Sequence, residues 1–432
     1  MKGKFSPITL LSVDLELGEP IRVGRLAFFE RQIVFEFDEN FPADTLNISP
    51  FMLRPSPGST LIKGPDRLFD GLHGVFNDSL PDGWGRLLID RKLREVGIRQ
   101  SQLTPLDRLA WIGSRGMGAL TYKPEHPALA DGDGQKFTDL DAIADAARVV
   151  LEDSPEAVFD QLLEVGGSPG GARPKALIDV SVDGATVIHG ESDLPDGYDH
   201  WLVKFGARED VPEIGRIEQA YADMAAEAGV TMPETRVFPS KSGPGYFGIK
   251  RFDRNGCRRW HMHTICGLLH ADFRLPSIGY EELLKATMAL TRQQPDLEQM
   301  FTRMVFNVYA HNRDDHTKNH SFLMDASGEW RLSPAYDVVF SDGPGGEHSL
   351  DIGGEGTAPG EADIQKVGKS VGLSKAFIAD CIDKVRTSVD QWATFADRHG
   401  VPRKLTSEIA SVLGVAGAKE VVPVGWTSSR PC

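Results

Sequence analysis

Ten residues of this chain concentrate unusual chemistry: His311-Asn312-Arg313-Asp314-Asp315-His316-Thr317-Lys318-Asn319-His320. Pro334-Ala335-Tyr336-Asp337 lies a short distance downstream. An acid, then Lys318 and Asn319, then a second acid at Asp337, is the order a phosphotransfer site needs. Asp314 would take the proton of an attacking hydroxyl. Asn319 and Asp337 would hold Mg²⁺ against nucleotide phosphates. A metal-hydrolase reading competes. His311, Asp314, Asp315, His316 and His320 are all possible ligands of zinc or of a metal pair. Lys318 argues against it, because a cation beside a metal cluster is costly unless phosphate is also present.

The elements around this segment must deliver it to a cleft. Leu297, Met300, Phe301, Met304, Val305 and Val308 trace one helical stripe that ends just before His311. The stripe is core, and its value is positional. Upstream lies a second chemical candidate, Gly166-Gly167-Ser168-Pro169-Gly170-Gly171-Ala172-Arg173-Pro174-Lys175. Bare backbone N–H groups there could cradle phosphates. Most Gly/Pro runs are ordinary turns, and this one fits neither the P-loop spacing nor G-x-G-x-x-G. Two charged residues downstream give it weight. Lys204 sits in the apolar run Trp201-Leu202-Val203-Lys204-Phe205, and Glu218 lies in the helical pattern Ile217 to Ala228. A strand lysine held by a helix glutamate is how kinases contact the α- and β-phosphates. The bland alternative is an outward-facing, solvated lysine.

Short alternating runs, Val13 to Leu17, Ile21 to Leu26 and Val34 to Phe37, predict a small antiparallel sheet or barrel over residues 8–60. A helix is expected from Trp84 to Val96, and residues 124–135 read as a surface loop. A second unit opens with a helix from Leu140 to Leu151. Strands are expected over Lys175 to Val182, Thr186 to His189, Trp201 to Phe205 and Tyr246 to Phe252. The remainder reads as mostly helical, with one further stripe through Phe377, Cys381, Val385, Val389 and Trp392.

Bulk properties set limits. The 432 residues are 41% hydrophobic and 25% charged, an ordinary globular balance with room for two or three domains. No run reaches the roughly 18 apolar residues of a membrane span. The four cysteines show no paired spacing, which with the absence of a signal-like start predicts a reduced, cytoplasmic compartment. Net charge is −15, from 47 Lys and Arg against 62 Asp and Glu. Such a surface repels phosphate backbones, so tight DNA binding by the chain alone is not expected.

Several of these motifs together resemble the HipA family of bacterial serine/threonine kinase toxins. The resemblance rests on Asn312 to Asn319 with Pro334 to Asp337, on Phe76-Asn77-Asp78-Ser79-Leu80-Pro81-Asp82-Gly83, on Ser168 to Lys175, and on Ile249-Lys250-Arg251-Phe252-Asp253-Arg254. It implies an α+β, two-lobed protein-kinase-like fold. The units would be a β-rich N-terminal subdomain (1–125), a small lobe (138–255), a mostly helical catalytic lobe (256–420) and a flexible tail (421–432).

The resemblance also implies roles. Asp314 would be the catalytic base, with His316 and Lys318 supporting the loop and the γ-phosphate. Asn319 and Asp337 would bind Mg²⁺. Lys204, Glu218, Gly170, Gly171, Ala172 and Lys175 would form the ATP phosphate site, and Lys250 and Phe252 would meet adenine mainly through backbone groups. Ser168 would be autophosphorylated, placing about −2 charges where ATP phosphates bind and shutting the kinase off. The family's best-known target is an aminoacyl-tRNA synthetase. Its partner is a helix-turn-helix antitoxin, HipB-like, which brings operator DNA.

There are departures. Lys250 stands where the family usually has Glu, and Arg173 where Gln is common. His261-Met262-His263-Thr264 replaces a common Gln-Glu-Asp run in a stretch expected near the approaching protein substrate. Two rivals stay open: a small-molecule kinase, and a catalytically inactive kinase fold that acts as an antitoxin-bound co-repressor.

Overall fold

The computed structural model describes residues 7–416, apart from 57, 59, 96–97, 126–138, 152–170, 185, 190–193, 195 and 242. Ser168, Gly170, most of the loop expected at 124–135 and the tail 421–432 lie outside the described residues.

The N-terminal alternation folds as expected. Strands β1 (Leu10–Glu16), β2 (Pro20–Phe29), β3 (Gln32–Phe37), β4 (Ile62–Lys63) and β5 (Leu120–Lys123) form an antiparallel sheet in the order β4-β3-β2-β1-β5. Every second residue of β1 turns inward, burying Leu11, Val13 and Leu15 completely. Gly18-Glu19-Pro20 makes the β1–β2 turn. The helix Gly83–Glu95 comes after the Leu80-Pro81-Asp82 turn.

A second antiparallel sheet has the order β7-β6-β8-β10-β9, from β6 (Lys175–Ser181), β7 (Val187–His189), β8 (Tyr198–Lys204), β9 (Thr235–Phe238) and β10 (Tyr246–Lys250). Its register sets Lys175 directly opposite Lys204 across β6 and β8. The helix Ile214–Glu227 packs on β9 and β10. The C-terminal part is dominated by the helices Tyr280–Thr291, Gln294–Tyr309, Glu361–Ser370, Lys375–Val389, Trp392–Arg398 and Arg403–Leu413. The fold is thus α+β, with a strand-rich N-terminal region and helices gathered towards the C-terminus.

Two features differ from the sequence expectation. The single stripe through Phe377 and Trp392 is two helices. The first stops at Val389, where Asp390 and Gln391 close the turn onto Arg386 and Ser388, and Trp392 starts the second. The helical lobe also carries a three-stranded sheet, from β13 (His261–Thr264), β14 (Ser321–Met324) and β15 (Trp330–Leu332), preceded by a small hairpin of β11 (Arg254–Asn255) and β12 (Arg258–Arg259). These strands are two to four residues long, too short for period-two patterning to show.

Packing crosses the unit boundaries. One core runs from the N-terminal sheet into the helical lobe, joining Leu11, Val13, Phe35 and Phe76 to Met300, Phe301, Ile382 and Ile409. A smaller core joins Trp84, Leu88, Trp111 and Ile143 to the face of the second sheet, through Ile178, Trp201 and Val203. Where the N-terminal region meets the helical lobe, the helices Gly74–Asn77 and Ile265–Leu269 touch backbone to backbone. A Cβ on Gly74 would lie 2.2 Å from the Gly267 carbonyl oxygen, so only glycine fits.

Candidate active site

The second sheet presents Lys204 at the end of β8, and the next helix presents Glu218. Lys204 Nζ lies 2.7 Å from Glu218 Oε2 and 2.5 Å from Asp337 Oδ1. Both Lys204 and Glu218 are buried. Burial alone would lower the lysine's pKa, but Asp337 and Glu218 outweigh it and hold the ammonium well above its ordinary value. Asp337 keeps 34% of its side-chain surface open to the cleft. Its carboxyl is nevertheless depressed. Enclosure pushes it up, but Lys204 and Lys175 push it down further. Asp337 sits at φ +56°, a left-handed conformation that Asp tolerates better than most residues. Lys175 is buried beside this cluster. Burial lowers its pKa, as does the like charge of Lys204, against the pull of Asp337, Asp82 and Glu218.

The helix Gln294–Tyr309 delivers the polar decapeptide at its C-terminal end, as its stripe predicts. His311 reverses the chain at φ +53°, and Asn312 N–H donates back to Asn307 O at 2.9 Å. Asp315 anchors the segment. It accepts from Tyr280 OH at 2.8 Å, His348 Nδ1 at 2.9 Å and Ser349 N–H at 2.8 Å. That leaves Asp314 exposed at the cleft. Its carboxyl is raised, first by the surrounding protein and then by Asp337 and Asp315, with His316 and Arg173 opposing. Asn319 Nδ2 donates to Asp314 O at 2.8 Å, which turns the amide Oδ1 away from that carbonyl. Tyr336 OH donates to Lys318 O at 2.7 Å, tying the Asp337 segment to the loop.

The decapeptide's histidines scatter. His311 stacks on Phe340 and bonds Asp342, His316 packs edge-on against Phe273, and His320 donates to Asp315 O. Among the described residues no group of three or more His, Cys, Asp or Glu converges as a metal site. The metal-hydrolase reading loses its ligand set. For Mg²⁺ the demand is smaller. It is bound through one or two carboxylates together with phosphate oxygens and water. An ionised Asp337 and the Asn319 amide oxygen are hard oxygen donors of that kind.

Of the remaining candidates, Gly171 and Ala172 approach the N-terminal region at Gly83. Arg173 is clamped by Asp210, with Nη2 at 2.8 Å and Nε at 2.9 Å from its two oxygens. Phe252 packs on Tyr336 at 5.6 Å, next to Asp337. The Lys250 side chain pairs instead with Asp199 at 2.7 Å and Glu234 at 3.6 Å, and its amide donates to Glu234 O.

One expectation needs correcting. The His261 to Thr264 stretch does not face an incoming substrate. His261 and His263 are buried against the N-terminal region, where His261 Nε2 donates to Ile48 O at 2.8 Å. His263 Nδ1 donates to Asp78 at 2.6 Å, and its Nε2 meets Ser49 Oγ at 3.0 Å. Strand β13 is a docking seam.

Sequence reasoning missed Asp82 as a site residue. Its carboxylate accepts from Lys318 Nζ at 2.8 Å and from the Gly171 N–H. Residues 82 and 318 are too far apart in sequence for spacing to reveal this. The only signal was that Asp82 falls within the Phe76 to Gly83 motif.

Family models match the two halves of the chain. The HipA-like C-terminal domain covers residues 167–393 and the HipA N-terminal domain residues 17–123. The chain belongs to the HipA family. Among solved structures, it is similar to a chain of the Shewanella oneidensis MR-1 toxin–antitoxin complex of HipA, HipB and operator DNA. The identity is 17%, over 93% of this chain and 98% of that one, with a TM-score of 0.65. The HipA fold therefore spans nearly the whole length. A partial likeness extends to the Helicobacter pylori proinflammatory kinase CtkA, 14% identical over 52% of this chain and 88% of that chain, with a TM-score of 0.34. Asp82 lies in the N-terminal match and Gly171 in the C-terminal one, so the HipA N-terminal domain contributes a side chain to the cleft.

Proposed function

We propose that this HipA-family chain is a protein kinase that moves the γ-phosphoryl group of ATP to a serine or threonine hydroxyl. One observation carries the reading: buried Lys204 is held between Glu218 and Asp337, with Asp337 close enough to Asp314 for their charges to act on each other. A lysine so placed binds phosphate and cannot wander. Lys175 and Lys318 add positive charge on either side. Asp314 accepts the hydroxyl proton, and its raised pKa makes it a better base than an ordinary aspartate. Asn319 and Asp337 would hold Mg²⁺, which would neutralise charge on the transferring phosphoryl. Phe252 and the backbone near Lys250 would border the adenine.

The remaining roles rest on the family. Ser168 would take an inhibitory phosphate. A small DNA-binding antitoxin would be the partner, as HipB is for the Shewanella protein, and contact with operator DNA would come through it. The net charge of −15 supports an indirect contact.

The test is incubation with γ-labelled ATP, Mg²⁺ and a cell lysate. Labelled protein, identified by mass spectrometry, is the expected result, together with a phosphate on Ser168 of the chain itself. Label found only in small metabolites would redirect the reading to a small-molecule kinase. No ATP binding at all would leave the inactive co-repressor.

A further inference from the structure

Asp82 belongs to the N-terminal domain, yet both its carboxylate oxygens are spent in the cleft. Oδ1 accepts the Gly171 N–H, and Oδ2 accepts Lys318 Nζ at 2.8 Å. The contact is reciprocal, because Trp84 N–H donates to Gly171 O at 3.1 Å. Between the two, Gly83 sits at φ +35°. A Cβ there would lie 2.6 Å from Ala172 Cα and 2.7 Å from Gly171 O, so the two segments touch through bare backbone. Lys318 is 15% exposed, lies 4.7 Å over the Phe273 ring and has Asp82 as its ion-pair partner. Asp82 is in turn held ionised. Burial works against this, but Lys318, the Gly171 N–H and Lys175 prevail.

We infer that Asp82 is a positioning residue of the phosphotransfer site, fixing the end of the Gly-rich segment and aiming the Lys318 ammonium at the transferring phosphoryl. The inference rests on the kinase reading and deepens it. It makes the N-terminal domain part of the catalytic corner rather than an appended module. Lys318 would act on the phosphoryl group, whereas Asp82 would act only through Lys318 and Gly171.

The experiment is a double-mutant cycle on the full chain, with Asp82→Asn, Lys318→Met and the pair, read as kcat and as KM for ATP. Asp82→Asn should lower kcat by about 10- to 100-fold, the cost of a misplaced catalytic group. KM for ATP should stay within about threefold, because the interaction lost is one made in the transition state. Added to Lys318→Met, it should cost less than about twofold more, because both changes remove one interaction. Full activity of Asp82→Asn, or losses that multiply in the double variant, would overturn the inference and leave the kinase reading intact. An inactive wild type would overturn both. Thermal unfolding is measured in parallel. Should Asp82→Asn fail to fold, Asp82→Glu keeps the charge, displaces it by one methylene, and is read against the same thresholds.

Discussion

Polar groups are buried between distant segments of the chain in two places, and the two are built on opposite principles. At the catalytic corner the groups are charged and paired: Lys204 with Glu218 and Asp337, Lys318 with Asp82. At the seam they are mostly histidines. Burial and the neighbouring His270 bring His73 down to about 4, and burial and His263 bring His261 down to about 3. These rings stay neutral: His73 packs against Phe76 and His270, and His261 adds its hydrogen bond to Ile48 O. A buried ion pair is weak evidence for stability, because desolvation offsets most of the attraction. A protein that needed only to hold two domains together would use the seam's solution. The corner keeps its charges because phosphate needs them.

The sharpest way to break this contrast is to remove a charge from the corner. Asp337→Asn should abolish phosphotransfer while the far-UV circular dichroism stays native, and Asp314→Asn should cost roughly 10²–10⁴ in rate. Near-normal turnover of Asp337→Asn in the labelled-ATP assay would mean that the corner does not handle phosphate. Lys204→Met comes next. It should remove ATP affinity by calorimetry and, by stranding buried Glu218, cost about 3–5 kcal/mol in urea unfolding. Adding Glu218→Gln should recover stability but not activity. A full loss of stability with unchanged ATP affinity would make Lys204 a structural residue like those of the seam.

At the seam the expected effects are smaller and fall on stability. Asp78 accepts from His263 Nδ1, Thr264 N–H and Thr264 Oγ1 at 2.6–2.8 Å. Asp78→Ala should cost about 2 kcal/mol by urea unfolding, the penalty of buried donors left without an acceptor. The last effect is a pH slope. His73 titrates near 4 when folded and near 6.5 when unfolded, so between those values the unfolded chain binds more protons. Stability is full above about 6.5 and falls as pH drops towards 4, by up to about 1.4 kcal/mol per unit for this histidine. His261 extends the same slope towards 3. His73→Phe should flatten the fall, and an unchanged slope would place the acid sensitivity elsewhere.

How much of this was legible depended on distance along the chain. The helix under the decapeptide, Gln294–Tyr309, was read from its stripe, and Lys204 and Glu218 were read as kinase-like from their order, a strand lysine after a Gly-rich segment and a helix glutamate 14 positions on. The phosphate-handling acids announced themselves by density in sequence. Asp82 did not, because 236 positions and a domain boundary lie between it and Lys318. His261 and His263 were misplaced for a related reason. A short polar strand looks like surface until its partners, Ser49 and Asp78, are brought against it. Spacing conveys local geometry, and contacts made by docking have no local signature.

The core that joins the first sheet to the last helices also constrains how the protein is made. Leu11, Val13 and Leu15 leave the ribosome early, whereas Ile409, in the same core, comes nearly 400 residues later. At about 5–20 residues per second that interval is roughly 20–80 s. For that time the shared core cannot be completed, although Leu106 and Leu109 of the helix Pro105–Ile112 are already there to pack on the first sheet.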